Sequence, residues 1–325
     1  MIPSLLRVLI TFLFMSYLRR KRRNRTLFPI LWLKSETIIT VVYCSKAHLM
    51  SENEDMGQPL FSPSSVFWRV NRELASGLAG PRAVLMQIAH PLIAAGVAEH
   101  SRFREHRFAR LYRTSLAAAA ITFGSRDFAL RAVESINRIH RRVHGALRSQ
   151  VGVFPPGTPY DANDPELKLW VLSTITDSTL LVYDLFISPL SDDERQQYYN
   201  DSLTVAKLFD IPEHLIPPAY IDFQSYMNDK LQSDVITVSD TARDIARGLF
   251  SSSIEGSLLF LVSAVGIGLL PGRLRREFGF RWSQRRRNWL WRMATVSRRV
   301  RGHLPTIVCS SPMATFSHLR ALVTS

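Results

Sequence analysis

The chain has 325 residues, 46% of them hydrophobic and 21% charged, a balance that buries a sizeable core and excludes a disordered or low-complexity polymer. Its two cysteines, Cys44 and Cys309, exclude a disulfide framework and a cysteine-based zinc site, and fit a reducing compartment. More than half of the +14 net charge precedes Met50, chiefly in RRKRRNR (Arg19 to Arg25), and the rest gathers in RRRNWLWR (Arg285 to Arg292) and SRRVR (Ser297 to Arg301). No zinc finger, RNP-like strand or helix-turn-helix pattern accompanies these runs, so nucleic acid is not an expected partner, and the C-terminal runs read as solvated helix faces.

The first elements set residues 1–49 apart as a basic N-terminal extension. Leu5 to Leu18 is apolar apart from Arg7, shorter than a spanning helix, and followed rather than preceded by its charges. Three readings stand: a short membrane anchor, a surface-associated segment, or a leader foreign to the domain. The charge order favours a cytoplasmic location, with membrane association through residues 1–25 as the alternative. Thr37 to Val42 is the one β-like stretch.

From Met50 onward the pattern is helical. Ser64 or Ser65 can cap a helix running to Leu78, Gly80-Pro81 stops it, and a second helix runs from Arg82 to about Ile88. His90-Pro91 starts a new one, with His90 bonding its end. Gly124-Ser125 ends one helix and caps the next. Ser125 to Gly145 carries Phe128, Ala129, Ala132, Val133, Ile136, Ile139 and Val143 at helical spacing, with His140 inside that stripe and Arg138, Arg141 and Arg142 opposite. Asp164-Pro165 opens a helix reaching about Phe186, and Ser191 with Glu194 forms a capping box. Helices are further expected over 219–231, 241–249, 254–270 and 283–300, with Leu258 to Leu270 a buried core helix. The fold expected is all-α, one multi-helix domain over 50–325, with no sheet.

Several ordered blocks resemble the DUF2236 family, the catalytic domain of MpaB and the rubber oxygenases, related to latex clearing protein. They are Gly80-Pro81, MQIAHPLIAAGVAEHSRF (Met86 to Phe103), RLYRT (Arg110 to Thr114), RIHRRVHG (Arg138 to Gly145), PYDANDPELKLWV (Pro159 to Val171) and TDS (Thr176 to Ser178). LRREFGFRWS (Leu274 to Ser283), Pro312 and Arg320 follow. The resemblance implies an all-helical oxidoreductase that binds haem b, uses dioxygen and acts on a small apolar substrate, isoprenoid or lipid. It assigns the iron ligand to His140 and the distal side to Arg110, Arg113 and Thr114. Two positions depart from the pattern. Arg113 replaces a lysine and, staying protonated, does not ligate iron. Leu172, in WVLST, replaces a histidine.

The residues themselves suit such a site. A haem needs an apolar slot, an axial base and polar or cationic groups for its propionates. His140 supplies the base, and Asn137 and His144, both on the same side and about 40–60° off its direction at 100° per residue, are placed to bond propionates or orient the ligand. Arg110, Arg113, Thr114, Ala117 and Ala118 share one face of the preceding helix. Thr114 offers a hydrogen bond and Arg113 a charge toward dioxygen; the run Ala117 to Ala120 offers either a macrocycle contact or a tight helix-helix contact. A non-haem triad of His90, His100 and Glu99 has the right residue types but no supporting spacing. Asp177 reads as the partner of an arginine such as Arg110. The alternative is a non-catalytic helical or lipid-binding protein that keeps the fold without cofactor.

Overall fold

The computed structural model describes residues 59–101, 107–250, 258–315 and 317, without the side chains of 107–113 and 258–259. The extension, its boundary at Met50 and the β-like stretch lie outside the described residues.

Helix α1 (Val66–Asn71) is opened by Ser65, whose Oγ accepts from the Trp68 amide at 3.1 Å. The single helix expected to Leu78 is divided. Arg72 and Glu73 leave it, and a 3-10 turn, Leu74–Leu78, follows. The division delivers the Glu73 carboxylate, 2% exposed, to the Arg301 guanidinium through two bonds of 2.8 Å. A carboxylate so deeply buried needs a charged partner.

Helix α2 (Ala79–Ile88) runs through Gly80-Pro81, where the sequence suggested a stop. Pro81 sits in the first turn, where an amide would lack an intrahelical acceptor and its loss costs nothing. His90 then caps α3 (Pro91–His100), its Nδ1 accepting from the Leu92 amide at 3.3 Å. Burial, aided by the Lys230 charge, lowers the His90 pKa from 6.5 to about 4. Between those values the unfolded chain binds more protons than the folded one. The stabilising contribution of neutral His90 is therefore complete above about pH 6.5 and is lost as pH falls toward 4, an effect of ~3 kcal/mol. His90→Asn keeps a capping acceptor. Its melting temperature is expected to fall less than that of wild type between pH 7 and pH 4.5, and equal acid sensitivity would rule His90 out as the group responsible.

Helices α4 (Arg107–Phe123) and α5 (Arg126–His140) form a hairpin around Gly124-Ser125, where Ser125 Oγ accepts from the Phe128 amide. The expected continuation of α5 to Gly145 does not occur. The chain turns at Arg141 and enters β1 (His144–Ala146), which pairs antiparallel with β2 (Pro159–Asp161), Gly145 facing Tyr160.

Asp164 caps α6 (Pro165–Phe186), accepting from the Glu166 and Leu167 amides, and the helix ends where expected. It is the axle of the fold, packed by α2, by α7 (Asp192–Leu208) and by a long helix near the C-terminus (Gln284–His303). Its length and composition would suit a membrane span, but most of it is buried inside the fold. Leu180, Val182, Tyr183 and Phe186 join a core with α1, while Trp170 joins a second core with Leu85 and Met86 of α2. The Trp170 indole donates to the Met86 carbonyl at 3.2 Å. The Ser191–Glu194 capping box opens α7 as expected.

The remaining helices are α8 (Tyr220–Gln232), α9 (Asp240–Phe250), α10 (Leu258–Leu269), α11 (Gly272–Glu277), α12 (Gln284–His303) and α13 (Thr306–Cys309). The architecture is all-α apart from the two short strands. Helix α10 is only partly the buried element expected: Val265 is enclosed, but Phe260 is 48% exposed. Close packing, on α2 at Gly266 and on Trp282 at Gly268, explains its glycines. A Cβ at Gly266 would lie 2.6 Å from Pro81 Cβ and 2.8 Å from the Arg82 nitrogen, and one at Gly268 would meet the Trp282 ring at 2.5 Å. Arg82 locks the same junction, donating from Nε to the Leu269 carbonyl at 3.0 Å and from Nη1 to Asp177 Oδ2 at 2.6 Å and Ser178 Oγ at 2.7 Å. Asp177 thus has an arginine partner, Arg82; the side chain of Arg110, the arginine named from the sequence, lies outside the described residues.

Candidate functional site

The candidate site lies at the C-terminal end of α5. Ala129 and Val133 are buried and Ile136 packs on the core, so the inner face of the helix follows the expected stripe. Ile139 does not: it is 63% exposed. His140 is the last residue of the helix. Its Nδ1 is buried and has no hydrogen-bond partner among the described residues. The same is true of Asn137 Oδ1, one turn earlier. Buried polar groups are nearly always paired; the other two exceptions among the described residues are the Nε atoms of Arg69 and Arg72, which belong to α1 and its cap.

Burial holds the His140 pKa below its ordinary value, the Lys168 charge lowers it further, and Asp161 opposes both. The ring is therefore neutral at neutral pH and keeps a lone pair for a Lewis acid or a proton.

Helix α4 lies alongside α5, and Arg110 is about as far before the Gly124 junction as His140 is beyond it. With a common rise of about 1.5 Å per residue, the two backbones reach the same level there. The side chains of Arg110 and Arg113 lie outside the described residues. Thr114, a turn closer to the junction, is exposed. Of the alanine run, Ala119 packs on the core and Ala120 is buried, as in a helix-helix contact, while Ala118 is exposed.

His144 is not beside His140 on a shared helix face. The Val143 amide returns to the His140 carbonyl at 2.8 Å, the helix stops, and His144 enters β1 with an exposed side chain. Its carbonyl contacts His100 Nε2 at 3.1 Å.

Sequence reasoning missed the network that fixes this turn. Tyr160, 4% exposed, donates to Glu99 Oε2 at 2.5 Å and approaches His100 Nε2 at 3.3 Å, while Arg148 Nε donates to Glu99 at 3.1 Å. Burial and the Glu99 acceptor push the Tyr160 phenol up to about 12. The ring fits because Gly145 lacks a Cβ, which would fall 2.5 Å from the phenol oxygen. Tyr160 thereby anchors β2 and its neighbour Asp161. Lys168, whose Nζ donates to the Phe209 carbonyl at 3.2 Å, was also missed. Its position one turn after the Asp164 cap, on the helix following α5, was the available signal.

His90, His100 and Glu99 do not converge. His90 caps the start of α3, while the other two sit at its far end on Tyr160. Among the described residues no group of three or more His, Cys, Asp or Glu side chains could hold a metal ion. Leu172, a turn beyond Lys168, packs on the core and lines a cavity with Ser173, Thr176 and Ser202 that has room for about one water.

Comparison with known proteins bears on these residues as a set. The model of the ER-bound oxygenase mpaB/B'/rubber oxygenase catalytic domain matches residues 68–299, which include most of α1, all of α2 to α11 and most of α12. The uncharacterized protein Mb2261 of Mycobacterium bovis and the uncharacterized protein Rv2237 of Mycobacterium tuberculosis are each 25% identical to the chain over 232 residues, covering 68% of this chain and 88% of the relative. No solved structure matches.

Proposed function

The chain belongs to the ER-bound oxygenase mpaB/B'/rubber oxygenase catalytic domain family, and from that premise we propose that it is a haem-dependent oxidoreductase acting on a small apolar substrate, isoprenoid or lipid. Family membership supports the oxygenase-like activity; the cofactor and the substrate class are our proposal. The observation that carries it is the neutral, half-buried imidazole of His140 with its orphaned Nδ1, one turn from the orphaned Asn137 Oδ1. These atoms fit a missing group that needs one nitrogen base and one polar neighbour.

Bound there, haem b would supply an iron centre for activating dioxygen. His140 would hold it through a ring nitrogen, whose lone pair is free because burial keeps the ring unprotonated. Asn137 would orient the ring or bond the cofactor's edge. Arg110 and Arg113 bring permanent positive charge on the adjacent helix, suited to carboxylates or to developing negative charge, and Thr114 brings a hydroxyl donor.

Leu172 favours a second reading. An apolar core residue stands where the related sequences carry a histidine, which suits a non-catalytic helical or lipid-binding protein that keeps the fold without cofactor. Reconstitution decides between the two. The full chain, incubated with haemin and desalted, is expected to retain about one haem per chain with a strong Soret band. Protein that emerges colourless while folded would overturn the haem reading in favour of the second.

A further inference from the structure

Helix α12 carries an outward surface that the site at His140 does not use. Leu290 and Ala294 mark its buried face. Opposite them, Arg285, Trp289, Arg292, Val296 and Arg299 recur at i, i+4, i+7, i+11 and i+14, a single stripe along a helix about 30 Å long. All five are exposed, Trp289 at 37% and Val296 at 49%, and Trp291 beside them is 53% exposed. The helix contains no acidic residue. Some of its arginines are engaged: Arg286 bonds the Arg281 carbonyl, Arg298 the Asp184 carbonyl, and Arg301 the Glu73 carboxylate. The guanidinium groups of Arg285, Arg292 and Arg299 have no ion-pair or hydrogen-bond partner among the described residues; the Arg299 carbonyl is met by His303 Nδ1 at 2.7 Å.

A merely solvated face has no use for tryptophan and valine set between arginines. Two chemistries could use it. Phosphates of a nucleic acid would suit the arginines, but an aliphatic Val296 contributes nothing there, and tryptophan stacking requires unstacked bases. The surface of an anionic bilayer uses every member of the stripe. Arginines reach headgroup phosphates, indoles rest at the interface, and the apolar side chains enter the acyl boundary. We propose that the outward stripe of α12 is a docking surface for an anionic lipid bilayer. The inference rests on α12 alone and does not depend on the haem reading.

The test is sedimentation of the full chain with vesicles of phosphatidylcholine alone or mixed with phosphatidylglycerol. Binding is expected on the mixed vesicles only, weakening as salt is raised. Arg285→Ser, Arg292→Ser and Arg299→Ser combined should weaken it about a hundredfold, from the contribution of each cation near an anionic surface. Trp289→Ala with Val296→Ser should weaken it several-fold at unchanged charge. These positions are exposed, and circular dichroism checks that the variants fold. Should the triple variant misfold, quenching of wild-type fluorescence by brominated lipid, reduced in Trp289→Phe with Trp291→Phe, reads the same contact. Wild-type binding by the variants would place the attraction elsewhere, for example in Arg19 to Arg25, and overturn the proposal. So would absence of vesicle binding, preference for a DNA duplex over vesicles, or a dimer in solution that the variants dissociate without any lipid binding.

Discussion

His140→Ala is expected to fold normally and to emerge from haemin reconstitution without a Soret band. The ring ends its helix half-exposed, and its Nδ1 makes no hydrogen bond. Truncation therefore removes no stabilising partner, and the melting temperature should change little. On the proposed reading, haem retention should instead collapse, because the nitrogen that would hold the iron is gone. Asn137→Ala should be milder, with cofactor affinity reduced about 10- to 100-fold, as for groups that orient a ligand rather than form the bond. The two variants are compared by absorbance after desalting and by thermal melting. A His140→Ala protein with the wild-type Soret band would remove His140 from the site.

Arg82→Met is the substitution expected to damage the fold most. Arg82 is 5% exposed, and its guanidinium joins α2 to α6 and α10 through Asp177, Ser178 and the Leu269 carbonyl. Methionine fills much of the volume but leaves a carboxylate and a carbonyl without their donor. Breaking one side of a fully buried pair costs about 3–5 kcal/mol, and with the Asp177 side chain 30% exposed the cost here should lie at or below the lower end. Urea unfolding should register most of that loss, and Arg82→Lys should recover only part, since an ammonium cannot reproduce the planar fork. A loss below about 1 kcal/mol for Arg82→Met would mean that the junction is held by packing alone.

Much of this architecture was legible because helix ends are written locally. Ser125, Asp164-Pro165 and the Ser191–Glu194 pair each satisfy backbone amides within a few residues, so their signals survive without tertiary information. Pro81 misled because the same residue ends a helix from its interior and begins one from its first turn. The end of α5 was invisible for a different reason. Val143 continues the apolar period, and only the distant pairing of Gly145 with Tyr160 shows that the chain has become a strand. That one error moved His144 out of the site. Asn137 and His140, singled out from position on the stripe, prove to carry orphaned atoms, a property that no sequence pattern displays. Partner choice was likewise beyond local reading: Asp177 called for an arginine, and the fold supplied Arg82.

The long reach of the polar ties has a consequence for biosynthesis. Arg82 closes on Leu269, 187 positions later, and Glu73 on Arg301, 228 positions later. At translation rates of about 5–20 residues per second, α2 waits roughly 10–40 s for the last of its neighbours to be made. Throughout that interval Leu85 and Met86, fully enclosed in the finished protein, lack part of their cover. The nascent chain thus presents an apolar helix to the cell before it can be sheathed, and a ribosome that stops short of Arg301 releases a product whose Glu73 carboxylate has lost its bidentate partner. Demand for a holding chaperone is built into the order in which this fold is synthesised.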